Sequence, residues 1–361
     1  MFVTIIVFIA ILAVLVLVHE FGHFYSARKL GVLVKEFGFG FPPRMFGIKK
    51  GETLYSINWL PLGGFVKLKG EQGEELNDPD SFASQKAWKR SIILVAGVFM
   101  NVVLCFVLLT TGFIAGLPTS VDSSNIGKAR DVKIQIFGLV DNSPAIAAGV
   151  QPGDAVISID GNYFSKIEEV QSYISSHDGQ LLKFELARGQ QVISKEITPG
   201  PLTAFKEQVG IGVSLVQTGI ISYPWYEAIW QGVKSTGLLV YNIVDGFVSF
   251  FGQLFTTGQA PADVAGPVGI AMLTGQVVGL GWIYVLQFAA LLSINLAIIN
   301  ILPFPALDGG RLLFVVIEKI RGKQANAKIE AIIHTIGFSF LMLLILVITY
   351  RDVVKIVGNW F

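Results

Sequence analysis

Long runs of apolar residues alternate along the chain with stretches in which charged residues and glycines collect. A helix that spans a bilayer needs about 20 predominantly apolar residues. Four runs meet or approach that length and predict transmembrane helices: residues 2–18, 92–117, 282–302 and 331–349. A fifth stretch, residues 237–255, is apolar but contains Asn242, Asp245 and several glycines. We interpret it as an interfacial amphipathic helix, with a fifth span as the alternative.

Small and aromatic residues alternate between the first two runs. A glycine-rich segment, residues 36–41, is followed by Pro42-Pro43 and by a second extended segment at residues 53–60. This pattern predicts edge-like strands close to the membrane. Residues 81–90 mix apolar and basic positions, so we expect a short amphipathic helix leading into the second span, with its basic end toward anionic headgroups.

The pattern changes to strand-like alternation from about residue 121 to residue 216. Turn signals such as Pro152-Gly153-Asp154 and Asp160-Gly161 interrupt it. Residues 141–154, together with residues 157–161, resemble a PDZ domain, which binds peptides by adding a strand to a sheet edge. The alternative is a small β-rich module that only caps the membrane part.

Composition and charge place most of the chain in a membrane. Its residues are 52% hydrophobic and 15% charged, against about 25% charged in soluble domains. Lysine and arginine number 11 in residues 25–90 and 5 in residues 304–330, but only 9 in residues 118–280. Basic loops stay in the cytoplasm, so both termini and the central segment are predicted outside. The net charge of +1 argues against a nucleic-acid partner.

Two histidines and a glutamate lie at the end of the first apolar run. His19 and His23 are four positions apart, so on a helix they share a face and can bind one zinc ion, with Glu20 placed as a base. Such a motif also arises by chance in structural helices. At the end of a membrane span, however, an unpaired ionisable cluster is costly, and metal coordination compensates for that cost.

Catalytic zinc sites usually have three protein ligands and one open position. Two other histidines remain, His177 in the predicted outer domain and His334 at the start of the fourth span, and we interpret both as ordinary hydrogen-bonding residues. Asp308 is the better candidate because the orientation argument places it level with His19 and His23. The alternative is a simple loop turn that Asp308 caps.

The segment that contains Asp308 has an unusual composition for the end of a membrane span. Pro303 and Pro305 remove backbone donors and break the helix, whereas Gly309 and Gly310 permit close approach. Backbone polar groups here can therefore face a cavity or a substrate.

These motifs together resemble the site-2 protease family, particularly the bacterial regulator-of-sigma-E proteases. The resemblance rests on residues 19–23 (HEFGH) and residues 300–310 (NILPFPALDGG). Residues 97–101 (GVFMN) are similar to the family's G-P-x-x-N, with Val98 in place of proline, and residues 266–270 (GPVGI) resemble its G-P-[VI]-G-I. A single PDZ-like insert between the second and third spans also fits, although some relatives carry two.

The resemblance implies a zinc-dependent intramembrane endopeptidase with one Zn²⁺ per chain. His19, His23 and Asp308 would hold the metal and Glu20 would act as general base. The segment after the first span would be a membrane-reentrant β-hairpin that holds substrate extended. The residues expected to position substrate are Asn300, Pro303, Pro305, Gly309 and Gly310.

The implied partners are the lipid bilayer and single-span membrane proteins already trimmed by another protease, such as anti-sigma-factor-like proteins or signal-peptide remnants. Peptide C-termini are expected to bind the PDZ-like domain. The implied location is the bacterial cell membrane, with the active site toward the cytoplasm. Two alternatives remain: a non-proteolytic membrane adaptor, which would not need Glu20, and a metal or proton transporter, which would need polar groups through the whole bilayer.

The predicted fold class is an α-helical polytopic membrane protein with about four transmembrane helices, a membrane-associated β-hairpin and an inserted α+β PDZ-like domain. The first helix covers residues 1–30, the β segment and amphipathic helix residues 31–90, and the second helix residues 91–120. The PDZ-like domain covers residues 121–218 and interfacial helices residues 219–280. The third span, residues 281–310, precedes a cytoplasmic loop and the fourth span, residues 311–361.

Overall fold

A computed structural model of the chain describes residues 2–71, 75, 77–121, 125–140, 142–189, 191–202, 208–258, 266–323 and 326–358. It separates into two compact units. The first, here called the membrane unit, comprises Met1–Thr110, Ile229–Val278 and Val285–Phe361. The second, here called the soluble unit, comprises Thr111–Ala228 and Gly279–Tyr284.

Helices make up most of the membrane unit. Those that lie wholly or largely in it are α1 (Phe2–Lys29), α2 (Ala87–Ala115), α5 (Trp225–Thr257), α6 (Pro267–Leu280), α7 (Trp282–Ile301), α8 (Asp308–Arg321) and α9 (Ala327–Gly358). Within the described residues, α1, α2, α5, α7 and α9 are long and apolar enough to cross a membrane. The four predicted runs fall in α1, α2, α7 and α9. The fifth falls in α5, so the number of spans stays a prediction.

The segment between α1 and α2 forms an antiparallel sheet of two bent strands, β1 (Val34–Lys50) and β2 (Thr53–Leu68). Gly38 pairs with both Ser56 and Phe65, so the first part of β1 lies between the two halves of β2. The strands predicted at residues 36–41 and 53–60 are thus present and longer. Several large apolar side chains on the sheet are exposed, as expected for a surface in contact with lipid: Phe41, Met45, Phe46, Ile48, Trp59 and Leu60.

The helix predicted over residues 81–90 is wrong over its first part. Residues 81–85 form turns and bends, and α2 begins at Ala87. Phe82 is buried in a cluster with Ala27 and Ile93, and its N–H donates to the carbonyl of Lys69 at 2.7 Å. Packing of this one aromatic ring, together with a bond to the end of β2, outweighs the local amphipathic pattern.

The GPVGI motif surrounds the start of α6. Oδ2 of Asp352, near the end of α9, accepts hydrogen bonds from the N–H groups of Gly266 at 3.0 Å and Gly269 at 2.7 Å. The first N–H groups of a helix have no partner inside the helix, and a carboxylate is a favourable acceptor for them. A Cβ on Gly266 would crowd Ile348, so glycine permits this approach of α6 to α9.

The soluble unit is built on a six-stranded antiparallel sheet with the order β3-β10-β4-β5-β6-β7. The elements of this unit are β3 (Leu117–Ser120), β4 (Ala129–Leu139), α3 (Pro144–Ala147), β5 (Ala155–Ile159), α4 (Ile167–Ser175), β6 (Leu182–Arg188), β7 (Gln191–Ile197), β8 (Gly200–Leu202), β9 (Gln208–Gly210) and β10 (Val213–Ile221). Its core combines alternate strand residues with the inner face of α4, including Ile136, Val170, Ile174, Phe184 and Leu186.

The PGD turn of the PDZ-like motif is held by an ion pair between a buried aspartate and a partly exposed arginine. The Asp154 carboxylate is 1% exposed and accepts from Nε and Nη2 of Arg188, both at 2.7 Å. It also accepts from the N–H of Gln151 at 2.9 Å. The Asp154 side chain therefore closes the turn from Gln151 to Asp154 and ties it to Arg188. The start of the motif, Asp141, lies outside the described residues.

The cap on α6 predicts a stability effect. Asp352→Ala leaves two N–H groups without their acceptor and should lower the free energy of unfolding by about 1–3 kcal/mol. Thermal unfolding of the detergent-solubilised protein measures this loss. Asp245→Ala, which removes an exposed acid from α5, is the control. Equal melting temperatures for the two variants would contradict the cap.

Candidate metal centre

Three side chains of the membrane unit converge on one point. Nε2 of His19 and Nε2 of His23 lie 3.0 Å and 3.1 Å from Oδ2 of Asp308 and 3.2 Å from each other. Both histidines are buried, and Asp308 is half-buried. Among the described residues, this is the one group of three or more His, Cys, Asp or Glu side chains close enough to share a metal ion. His177 and His334 are not part of it.

The other ring nitrogen of each histidine is engaged from α2. Nδ1–H of His23 donates to the backbone carbonyl of Ile93 at 2.8 Å, so its Nε2 carries a lone pair. Nδ1 of His19 lies 3.3 Å from the side-chain amide of Asn101. The two ends of an amide have the same shape, and the orientation that turns Oδ1 toward His19 gives the Nδ1–H an acceptor. Partners of this kind orient metal-binding histidines in proteins generally.

Glycines allow α1 and α2 to approach closely enough for these contacts. A Cβ on Gly22 would overlap the backbone carbonyl of Ala96, and a Cβ on Gly97 would overlap the imidazole of His23. The Gly97 position is the first of the GVFMN motif, and Asn101 is its last. The motif therefore provides both the space for one ligand and the hydrogen-bond partner of the other.

Asp308 is brought to the histidines by a tight connection between α7 and α8. A Cβ on Gly309 would overlap the carbonyl oxygens of Ile301 and Leu302, and one on Gly310 would overlap that of Phe304. The two glycines thus let α8 start directly against the end of α7. The carboxylate of Asp308, the first residue of α8, therefore lies beside the two imidazoles.

Two further predicted residues lie beside the cluster. Glu20, half-buried on α1, faces β2: a Cβ on Gly64 would lie 3.3 Å from its Cγ. The side-chain amide of Asn300 lies 3.4 Å from Nε2 of His19. Gly309 and Gly310 are buried against the chain's own backbone, and contact of either glycine, or of Pro303 or Pro305, with substrate stays a prediction.

The donor set fits zinc. Three acceptor atoms that face one another at 3.0–3.2 Å repel unless a cation or protons lie between them. Ligands about 2.0 Å from a tetrahedral zinc ion are separated by about 3.3 Å, close to the distances here. Two imidazole nitrogens and one carboxylate oxygen are also ligands typical of catalytic zinc sites, which keep one position open.

The soluble unit contains a second candidate site, a groove between α4 and β10. Its cavity of about 650 Å³ is lined by α4, by residues 209–212 and by Val213 and Leu215 of β10. In the described chain, β3 pairs with β10 only from Thr218 to Ile221. The first half of β10 pairs with β4 on one side, and no strand of the described residues pairs with its other edge.

Comparison with known proteins identifies the family. The profile described as peptidase family M50 matches residues 7–344, nearly the whole chain. The chain belongs to peptidase family M50. This is the site-2 protease family, and its zinc metalloproteases include several close relatives of the chain.

Three relatives cover almost the full length of this M50 peptidase. The zinc metalloprotease RasP of Bacillus licheniformis is 33% identical over 98% of this chain and 99% of its own. RasP of Geobacillus kaustophilus is 32% identical over 98% of each chain. The regulator of sigma-W protease RasP of Bacillus subtilis is 31% identical over 98% of this chain and 99% of its own. The chain is a zinc metalloendopeptidase, as its sequence predicts.

Among solved structures, the PDZ domain of an SdrC-like protein from Listeria monocytogenes is similar to part of the chain. It is 27% identical, covers 23% of this chain and 86% of its own, and has a TM-score of 0.21.

The hydrogen bond to His19 generates a prediction. Asn101→Leu removes the acceptor at similar volume and should weaken zinc binding about 10-fold or more, whereas Asn101→Asp keeps an acceptor and should bind more tightly than Asn101→Leu. Competition with a chelator measures the affinity. The control is Asn295→Leu, because the Asn295 amide bonds only within α7 among the described contacts. Parent-like affinity in Asn101→Leu would exclude this role.

Proposed function

We propose that this M50 peptidase cleaves single-span membrane proteins within the bilayer, with one zinc ion held by His19, His23 and Asp308 and with Glu20 as general base. The observation that carries the proposal is the convergence of three ligand atoms within 3.2 Å, beside a carboxylate, in a unit made of membrane-length apolar helices. The ligand atoms and the carboxylate fit metal-assisted hydrolysis, and the apolar helices fit a location in the membrane.

The chemistry divides between the metal and Glu20. A bound zinc ion supplies Lewis acidity, which lowers the pKa of water to about 7 and polarises a carbonyl oxygen. The Glu20 carboxylate takes a proton from the attacking water and returns it to the nitrogen of the leaving amine. Because two imidazoles and the Asp308 carboxylate would fill the three ligand positions, Glu20 is free for this transfer.

The β2 strand supports substrate binding in an extended form. A helical substrate hides its carbonyls in internal hydrogen bonds, so it must unwind before attack, and in lipid the released groups need new partners. The second half of β2 pairs with β1 on one side among the described residues and passes Glu20 at Gly64. An unwound substrate segment can pair with its open edge, and the Asn300 amide beside His19 can donate to a substrate carbonyl.

The groove beside β10 supports a role for the soluble unit as a PDZ domain. A peptide C-terminus can add a strand to the open half of β10, with its last side chains in the cavity against α4. Residues 210–213, Gly-Ile-Gly-Val, line the groove, and backbone N–H groups of such a loop can bind a terminal carboxylate. Substrates trimmed by another protease would present a new C-terminus of this kind to the groove. Untrimmed substrates keep an outer domain, which the soluble unit would exclude from the metal site.

The distribution of basic residues supports a bacterial cell membrane location with the metal site toward the cytoplasm and the PDZ-like unit outside. The two basic loops include Lys67 on β2 and Lys69 just after it, and Lys319 and Arg321 at the end of α8. These loops follow α1 and α7, the two helices that lead to the zinc ligands, so ligands and basic loops share one membrane side.

The role of Glu20 predicts loss of cleavage without loss of metal. Glu20→Gln keeps the shape of the side chain but cannot accept the proton, so cleavage of a tagged single-span reporter without an outer domain should fall by about 100-fold or more. Zinc content should match the parent. Glu52→Gln, in the exposed β1–β2 turn, should cleave normally. Undiminished cleavage by Glu20→Gln would exclude Glu20 as the base; no cleavage by the parent would count against single-span membrane proteins of this kind as substrates.

The ligand set predicts loss of zinc. His23→Ala and Asp308→Ala each remove one of three ligands and should leave the purified protein with substoichiometric zinc by atomic absorption, where the parent holds one ion per chain. Asp178→Ala, which removes an exposed acid from the soluble unit, should retain zinc. If Asp308→Ala holds zinc as tightly as the parent, the third ligand is another residue.

A further inference from the structure

One histidine outside the metal cluster contacts the connection that ends at Asp308. Nδ1 of His334, in the first turns of α9, accepts a hydrogen bond from the backbone N–H of Ala306 at 2.8 Å. Ala306 has a φ of +82°, a left-handed backbone conformation that a residue with a Cβ rarely adopts. A contact from elsewhere in the fold must hold such a residue.

Two more contacts join α9 to the same connection. One turn beyond His334, a Cβ on Gly337 would overlap Pro305, so α9 lies directly against the backbone there. A further turn along, the rings of Phe340 and Phe304 are 5.9 Å apart. Residues 304–306 thus contact α9 at three positions, each about one turn after the last. The contact made by His334 is a hydrogen bond, which depends on direction.

The bond also specifies the protonation state of His334. Because Nδ1 accepts, the proton of the neutral ring is on Nε2, which is buried and bonds to no described residue. The nearest acid, Glu330, has its Oε1 at 4.0 Å. The ring packs at 5.5 Å from Phe314 of α8. His334 therefore touches both the residues before Asp308 and the helix that starts at Asp308.

We propose that His334 is a positioning residue for the zinc ligand Asp308. The inference rests on the proposed ligand set. By holding Ala306 in the left-handed conformation, His334 determines the direction in which Leu307 and Asp308 leave the loop. The carbonyl of Leu307 accepts the first bonds of α8, from the N–H groups of Gly310 and Arg311, so a rotation at Ala306 turns the start of α8 and moves the carboxylate away from His19 and His23.

The experiment compares zinc affinity, by chelator competition, in full-length detergent-solubilised variants. His334→Leu removes the acceptor and should weaken zinc binding about 10-fold. His334→Asn places an amide oxygen near the Nδ1 position and should stay within about 3-fold of the parent. His177→Leu, which removes a histidine from the soluble unit, should bind as the parent does.

A second variant tests the mechanism through the backbone. Glycine adopts positive φ without strain, so adding Ala306→Gly to His334→Leu should restore part of the lost zinc affinity. If the two substitutions act independently, the loss caused by His334→Leu stays the same in both backgrounds. Cobalt substitution provides a measurement that does not depend on global stability. The visible absorption of bound Co²⁺ should change in His334→Leu and return toward that of the parent in His334→Asn. If the single variant His334→Leu does not fold, zinc affinity is compared between Ala306→Gly and the double variant Ala306→Gly/His334→Leu. A smaller loss of zinc affinity is expected there than the roughly 10-fold loss in the parent background.

The outcomes separate this inference from the proposed function. Zinc lost in Asp308→Ala but retained, with an unchanged Co²⁺ spectrum, in His334→Leu overturns the positioning role alone. Parent-like zinc affinity in Asp308→Ala overturns the ligand set and the positioning role with it. A lower melting temperature in His334→Leu with parent-like zinc affinity assigns His334 a purely structural contact and also overturns the inference.

Discussion

Mutual repulsion of three acceptor atoms is the constraint on which the membrane unit depends. Two imidazole nitrogens and a carboxylate oxygen within 3.2 Å of one another are unfavourable in a medium of low dielectric constant unless a cation binds there. The surrounding fold must hold them together against that repulsion. It does so from α2, through the Ile93 carbonyl and the Asn101 amide, and from the glycine pair that starts α8. The same bonds orient each imidazole, so the groups that stabilise the fold also prepare the site for a metal.

These helices pack with their backbones close together, and they do not rely on large interlocking side chains at these contacts. Helices in lipid gain little from the hydrophobic effect, and small residues let dispersion contacts replace it. Gly22 and Gly97 bring α1 against α2, Gly309 brings α8 against the end of α7, and Gly337 brings α9 against Pro305. Each of these glycines lies within a few residues of a group that contacts the candidate metal centre or its loop. Space at the backbone, as much as any polar side chain, determines where the ligands lie.

The candidate ligands could be predicted from sequence because their chemistry is encoded locally. Two histidines one helical turn apart, and an aspartate in a proline- and glycine-rich segment, are recognisable without a structure. The partners of His19 and His23 could not be predicted, because Asn101 and Ile93 lie 82 and 70 residues away and only packing decides which atoms meet. The helix expected over residues 81–90 is absent from its first part for the same reason, since burial of Phe82 overrides local periodicity. The contact of His334 with Ala306 had no sequence signal beyond the histidine itself.

The separation of the ligands along the chain has a consequence for synthesis. His23 and Asp308 are 285 residues apart, so a ribosome must complete α7 and begin α8 before the third ligand exists. Under the proposed ligand set, the nascent chain up to that point contains two imidazoles and the Glu20 carboxylate but no complete metal centre. If His19, His23 and Asp308 hold the metal, the order of residues along the chain keeps an unfinished copy of this hydrolase inactive while it is being made.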